Sequence, residues 1–119
     1  MRKLPGTALK NDATGQIIYT PPDNPEAIQR LMKNFDEFIN SQNDLPVLVK
    51  LAIQRYQFES IHPFYDGNGR TGRIVNVLHL MLNNLLDSPI LYLSGYIIKH
   101  KPAYYRLLQE VRVKDKWEE

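Results

Sequence analysis

The stretch VLVKLAIQRYQFESIHPFYDGNGRTGRIVNVLHLMLNNLL, Val47 to Leu86, decides how the chain folds. It holds two long apolar segments separated by a short polar loop. The first, Val47 to His62, follows Asp44-Leu45-Pro46 and is near-continuously apolar, the pattern of a central buried helix. Pro63 should end it, because the residue before a proline is pushed out of the helical region. The second, from Arg70 to Leu86, predicts another apolar helix, broken by Ser88-Pro89. Between them, Phe64-Tyr65-Asp66-Gly67-Asn68-Gly69 reads as a loop.

Working toward the N-terminus, Asn24-Pro25-Glu26 is a helix start: a capping side chain, proline in the first turn, then an acid at the positive end of the helix dipole. Ile28, Leu31, Met32, Phe35, Phe38 and Ile39 recur behind it at helical spacing. Residues 7–20 combine the polar cluster Asn11 to Gly15 with the β-prone run Ile17-Ile18-Tyr19-Thr20, which predicts a short hairpin ended by Pro21-Pro22. Toward the C-terminus, a short helix is expected near Ser94 to His100 and a last one near Pro102 to Lys114. The expected fold class is mostly α, a helical bundle with one β-hairpin. At 119 residues the chain has the size of a single domain, residues 1–119, without repeats or linkers.

Composition narrows the function classes. With 43% hydrophobic and 24% charged residues the chain should bury a core. A formal charge of +2 does not suggest a nucleic-acid-coating surface, so nucleic acid is not an expected partner. The absence of cysteine excludes disulfides, thiolate zinc sites and cysteine nucleophiles. No run approaches the ~18 apolar residues that span a bilayer, and no apolar segment follows the basic opening, so a cytoplasmic protein without a membrane partner is expected.

His62 to Arg73 concentrates the chemistry where a loop runs into a helix. A helix N-terminus offers unpaired N–H groups and partial positive charge, and Gly67 and Gly69 would let the backbone approach an anion closely. Arg70 and Arg73 are three apart, on one face of the first turn, where they would hold successive phosphates. Asp66 is a candidate Mg2+ ligand, since that ion commonly takes one carboxylate plus substrate phosphates. Asn68 would add a neutral phosphate contact. His62 is placed to take a proton from an incoming hydroxyl, histidine's ordinary pKa of about 6.5 leaving the ring mostly neutral at physiological pH. Metal, arginines, backbone donors and a base together are what phosphoryl-type transfer requires. Each feature alone is more often a turn or a solvated side chain; their conjunction within twelve residues points to a site.

His62-Pro63-Phe64-Tyr65-Asp66-Gly67-Asn68-Gly69-Arg70-Thr71-Gly72-Arg73 resembles the Fic signature, H-P-F-x-[D/E]-G-N-[G/K]-R-x-x-R, with every specified position filled. Tyr19-Thr20-Pro21-Pro22, the QFESIHPF approach, the LYLSGYI segment and Tyr104-Tyr105 look like the common bacterial Fic pattern as well. The resemblance implies a compact Fic-type bundle and a protein adenylyltransferase, which moves AMP from ATP to a serine, threonine or tyrosine hydroxyl and releases pyrophosphate. It implies His62 as general base and Asp66 as the Mg2+ ligand. Gly67, Asn68 and Gly69 become an anion cradle, Arg70 stabilises the triphosphate, and Arg73 contacts the γ-phosphate. Phe64 becomes the core anchor of the loop.

By the same resemblance the hairpin, with Ile17, Ile18 and Tyr19, is a flap that docks a target segment by strand addition. Tyr104 and Tyr105 sit where relatives line the nucleoside region, and of the two Tyr105 is taken as the contact, since neighbours on a helix face different ways. His79 is expected to be structural, and His100 a solvated or capping residue near a helix end. Two departures stand out. Many Fic proteins carry an inhibitory [S/T]-x-x-x-E-[G/N] helix, and no serine or threonine here has a glutamate four residues on. The end at KDKWEE, where relatives usually continue, suggests a piece of a longer protein. Expected partners are therefore a target protein, ATP, an inhibitory segment or antitoxin chain, and a second copy in a homodimer. Alternatives are another transfer on the same scaffold or removal of AMP, and, in a different class, a non-catalytic nucleotide-responsive binding module. Gly69, where phosphotransferring relatives tend to have lysine, favours nucleotidyl transfer.

Overall fold

The computed structural model describes residues 1–89 and 93–114. They are mostly helical, with one two-stranded antiparallel hairpin, as the sequence pattern predicts. The elements are β1 (Leu9–Lys10), β2 (Ile17–Tyr19), α1 (Pro25–Asn40), α2 (Val47–Ile61), α3 (Asn68–Leu82), α4 (Leu93–Lys99) and α5 (Lys101–Lys114). The chain divides into two compact units, Met1–Ser88 and Pro89–Glu119. Leu91 and Tyr92 of the LYLSGYI segment, and KDKWEE beyond Lys114, lie outside the described residues.

In the first unit Asn24 caps α1 as its sequence implies, its side-chain oxygen accepting from the Glu26 and Ala27 N–H groups at 2.8 and 3.3 Å. Ile28 and Phe35 on one stripe of α1 meet Phe58 and Ile61 of α2 in the core, with Leu31, Met32, Ile39, Phe64 and Val75 packed around them. Phe58 is the pivot: its ring lies 5.5 Å from that of Phe35 and 6.4 Å from that of Phe64, within the range of favourable tilted aromatic pairs. Phe64 thereby anchors the motif loop in the core.

α2 runs between α1 and α3, yet it is not the uniformly buried helix expected. Leu48 and Val49 are exposed, while Lys50 and Gln54 are buried on the same stripe as Phe58 and Ile61. A helix apolar on every side has no preferred inward face in its sequence, and here polar partners choose it. Lys50 Nζ donates to the Ser41 carbonyl at 2.6 Å and lies over the Phe38 ring, and Gln54 Nε2 donates to Asn76 Oδ1 of α3 at 3.3 Å.

The hairpin turns on Asn11, whose side-chain oxygen accepts from the Ala13 and Thr14 N–H groups, while the Gly15 N–H reaches the Asn11 carbonyl at 2.7 Å. Leu9 pairs with Tyr19 and Lys10 with Ile17, so the ladder is bulged between them. Tyr19 fastens the hairpin to α2 through its hydroxyl, which donates to the Ser60 carbonyl at 2.9 Å.

The second unit holds α4 and α5. His100 ends α4, its Nδ1 donating to the Tyr96 carbonyl at 2.9 Å and its ring stacked on that of Tyr96. Tyr105 is more than half exposed on α5, with its ring edge-on to Tyr104 at 5.4 Å. Among the described residues no helix is long and apolar enough to cross a membrane.

Candidate active site

α2 ends where Pro63 forbids its continuation, and His62 takes a left-handed conformation (φ 49°, ψ 58°). For an L-residue other than glycine that conformation costs roughly 1–2 kcal/mol, so something must hold it. The chain then turns through Phe64 to Asp66 and enters α3 at Gly67, whose φ of +80° suits glycine and re-aims the backbone into the helix. No side chain caps α3 at Gly67, so its first N–H groups face outward without a side-chain acceptor there. The helix begins at Asn68, two residues earlier than the apolar pattern suggests, which brings Asn68 and Gly69 into its first turn.

His62, Asp66, Gly67, Asn68, Gly69, Arg70 and Arg73 all line one open cavity of about 260 Å³, together with Tyr65. The two arginines reach back over the two glycines. Arg70 Nη2 is 3.8 Å from where a Cβ on Gly67 would stand, and Arg73 Nη1 is 3.6 Å from the corresponding point on Gly69. Two guanidinium groups thus overlie the N-terminal backbone of α3, and both add to the positive end of the helix dipole. Asp66 is the acid in the cavity lining. One of its oxygens accepts the Gly67 N–H at 2.6 Å and the other pairs with Arg70 at 3.1 Å. Among the described residues no three His, Cys, Asp or Glu side chains converge on a common point, so this is not a preformed protein cage for a metal.

Asn68, expected to add a neutral phosphate contact, lines the cavity and also holds the loop. It is buried, its Oδ1 accepts the Phe64 N–H at 2.9 Å, and its Nδ2 donates to the Phe64 carbonyl at 2.7 Å. Both polar ends of the amide are therefore engaged in closing the loop. Of the flap residues, Ile17 and Ile18 are exposed and Tyr19 is held by α2. Tyr105 belongs to the second unit. His79 is buried in α3 with Nε2 3.4 Å from the Val47 carbonyl, the structural place its apolar surroundings suggest.

Several residues that bear on the site carry no signal in the pattern of the motif. Glu59, one helical turn before His62, has one carboxylate oxygen ion-paired with Arg55 and the other 4.0 Å from His62 Nδ1. Arg55 in turn fits against Gly72, where any Cβ would overlap its guanidinium and lie 3.2 Å from the Phe58 ring. The spacing 55, 59, 62 on one helix face was the available clue. Arg2 had no such clue. Its side chain is 1% exposed, and its guanidinium donates to the His62 and Pro22 carbonyls, both at 2.6 Å, and to the Ile61 carbonyl at 3.2 Å. Tyr65 completes this contact: its hydroxyl oxygen accepts the Lys3 and Leu4 N–H groups at 2.9 and 2.8 Å, and those hydrogen bonds, Leu4's first, hold its phenol below the ordinary tyrosine pKa.

Comparison with known proteins agrees with the motif. A probable protein adenylyltransferase of Aquifex aeolicus is 36% identical over 69 residues, which cover 58% of this chain and 21% of that protein. The protein adenylyltransferase Fic of Drosophila grimshawi is 39% identical over 67 residues, 55% of this chain and 13% of that protein. The protein adenylyltransferase fic-1 of Caenorhabditis elegans is 34% identical over 62 residues, 50% of this chain and 12% of that protein. The chain thus spans about a fifth or less of the length of these curated relatives. Residues 1–80, which contain the hairpin, α1, α2, the motif loop and most of α3, match the Fic/DOC family, and the chain belongs to that family.

Proposed function

We propose that the chain is a protein adenylyltransferase, transferring AMP from ATP to a serine, threonine or tyrosine hydroxyl of a target protein with release of pyrophosphate. The observation that carries this reading is the convergence of His62, Asp66, the α3 N-terminus, Arg70 and Arg73 on one cavity. The names of the relatives supply the class of transfer.

Arg70 and Arg73, over the glycine backbone, bind the triphosphate, and the outward N–H groups of α3 take its oxygens. Asp66 fits Mg2+, which accepts one carboxylate plus phosphate oxygens and water and needs no all-protein cage. When bound, that ion would neutralise phosphate charge and polarise the reacting phosphoryl group. Asp66 must then release Arg70, and as an exposed pair the two separate at a cost of about 1 kcal/mol or less. His62 accepts the proton of the target hydroxyl as its oxygen bonds to the α-phosphorus. The bond from that phosphorus to the bridging oxygen breaks, and pyrophosphate departs with the electron pair. With Nδ1 turned toward Glu59, we assign the proton to Nε2. Exposed Ile17 and Ile18 at the hairpin present the surface on which the target segment docks. An inhibitory chain would act on Arg73, and a cytoplasmic setting with ATP at hand belongs to the same proposal.

The test is transfer of label from α-labelled ATP and Mg2+ onto proteins of a lysate or the chain itself, in parallel with His62→Ala. The expected result is labelling by the native protein alone, with nucleotide binding retained in the variant. Binding without labelling in the native protein, or labelling that survives His62→Ala, would overturn the proposal.

A further inference from the structure

The base assigned above sits in a backbone conformation that its own residue type disfavours, and the group that holds it there comes from the opposite end of the unit's sequence. Arg2 Nε donates to the carbonyl of His62 itself, and its Nη2 to those of Ile61 and Pro22. Its backbone N–H takes the next carbonyl, that of Pro63, at 2.8 Å. Three successive carbonyls, 61 to 63, thus point at one residue. Immediately beyond, the Lys3 and Leu4 N–H groups close on the Tyr65 hydroxyl.

This is more than a helix C-cap. Lysine, arginine or histidine near a helix end commonly satisfies the last carbonyls from solvent. Arg2 is instead buried, although a guanidinium is rarely buried without extensive hydrogen bonding. A left-handed residue other than glycine persists only where its surroundings over-determine it. Rotating His62 back to an ordinary conformation would swing its carbonyl off the guanidinium and break this part-buried hydrogen bond. The fork also spans from the His62 carbonyl to that of Pro22, tying the connection between the hairpin and α1 to the end of α2.

We infer that Arg2 is a positioning residue for His62, and that Arg2, Lys3 and Leu4, closing on Tyr65, form a clamp that completes the catalytic loop from outside the signature. The inference rests on His62 being the base, and its consequence is specific. Loss of the clamp should lower turnover while leaving nucleotide binding to Asp66, Arg70, Arg73 and the α3 N-terminus, none of which Arg2 contacts through the bonds described.

The experiment compares the full chain with Arg2→Ala, Arg2→Lys and Tyr65→Phe. It measures initial labelling rate at saturating ATP, the ATP concentration giving half that rate, and the backbone carbon shifts of selectively labelled histidine, of which there are only three. A misplacement of about 1 Å costs on the order of 100-fold in rate, so Arg2→Ala should lose rate on that scale with half-saturating ATP changed by less than about threefold. Tens of millimolar guanidinium, far below denaturing concentrations, should restore part of it. Arg2→Lys, keeping the charge but not the fork, should fall between. His62 shifts should move in Arg2→Ala while those of His79 and His100 stay. Should Arg2→Ala fail to fold, Arg2→Lys and Tyr65→Phe carry the same comparison. An unmoved His62 signal, or an undiminished rate in folded variants, would overturn the clamp. Native protein that transfers nothing would sink the adenylyltransferase reading, and the histidine shifts would still decide the clamp.

Discussion

Asn68→Ala separates two jobs that the motif cannot distinguish. Read as a ligand, Asn68 would hold phosphate with its side chain; in the structure that side chain closes the loop onto Phe64 instead. Removing the amide leaves the Phe64 N–H and carbonyl, both partly buried, without their partners, at about 1–3 kcal/mol for each group left unsatisfied. Partial solvent access favours the low end, and alanine's better helix propensity returns roughly 0.5 kcal/mol. The net expectation is about 2–3 kcal/mol, which for a chain of this size is a drop in melting temperature on the order of 10 °C. Asn68→Asp should not rescue it, because a carboxylate keeps the acceptor for the Phe64 N–H but faces the Phe64 carbonyl with no donor. The assay is thermal unfolding of nucleotide-free protein followed by helical circular dichroism. If Asn68→Ala melts within about 2 °C of the native chain and loses only nucleotide affinity, the side chain belongs to the ligand and the loop-closing role is wrong.

Gly72→Ala should destabilise by about 1–3 kcal/mol despite a helix-propensity gain of about 1 kcal/mol, because its Cβ displaces Arg55 from Glu59. Gly69→Ala, with its nearest neighbours at 3.6 and 3.8 Å, should fold at least as well as the native chain and lose nucleotide affinity; matched melting and calorimetric titrations check both, and equal effects at the two positions would contradict them. The Tyr65 phenol should ionise below the ordinary value of 10.0, since the Leu4 and Lys3 N–H groups favour its anion. Because the folded pKa is depressed, the linked stabilisation is absent at neutral pH, grows as pH rises through the folded value, and is complete above the unfolded one. Ultraviolet titration of the native chain against Tyr65→Phe should show the missing phenol among the earliest to ionise, and a missing phenol at or above 10.0 would refute it.

What the sequence shows plainly is whatever is decided within a few residues. Asn24 caps α1 because its side chain needs only the N–H groups two and three residues on, and Pro63 ends α2 by contact with its neighbour. The hairpin likewise closes on the Asn11 side chain. His62, Asp66, Gly67, Asn68, Gly69, Arg70 and Arg73 line one cavity because loop and helix start are contiguous, so that grouping was legible in the sequence. Contacts across the fold were not. A basic residue at position 2 reads as solvated, and nothing local says that its acceptors lie 20, 59 and 60 residues away. The inward face of α2 was hidden for another reason: with apolar residues on all sides, Lys50 and Gln54 could be placed only by the partners they find on neighbouring elements.

On the proposed reading the site's residues divide according to whether they meet ligand or hold shape, and Asp66 and Arg70 differ from the supporting residues in exposure. Asp66 and Arg70, with side chains 91% and 72% exposed, are joined by a surface ion pair worth under about 1 kcal/mol, so anion and cation can part them cheaply. Arg2, Asn68 and the Arg55–Glu59 pair lie beneath, buried or nearly so, and fix the backbone from which the exposed groups project. Preorganisation requires this asymmetry. If Asp66 and Arg70 were as deeply engaged as Asn68, ligand would first have to break bonds of low dielectric, and if His62 were as loosely held as Arg70, its strained backbone would relax before a hydroxyl arrived. On the proposed reading, a signature that mixes both kinds of residue marks where the chemistry would occur, and part of its support lies outside it, at Arg2, Arg55 and Glu59.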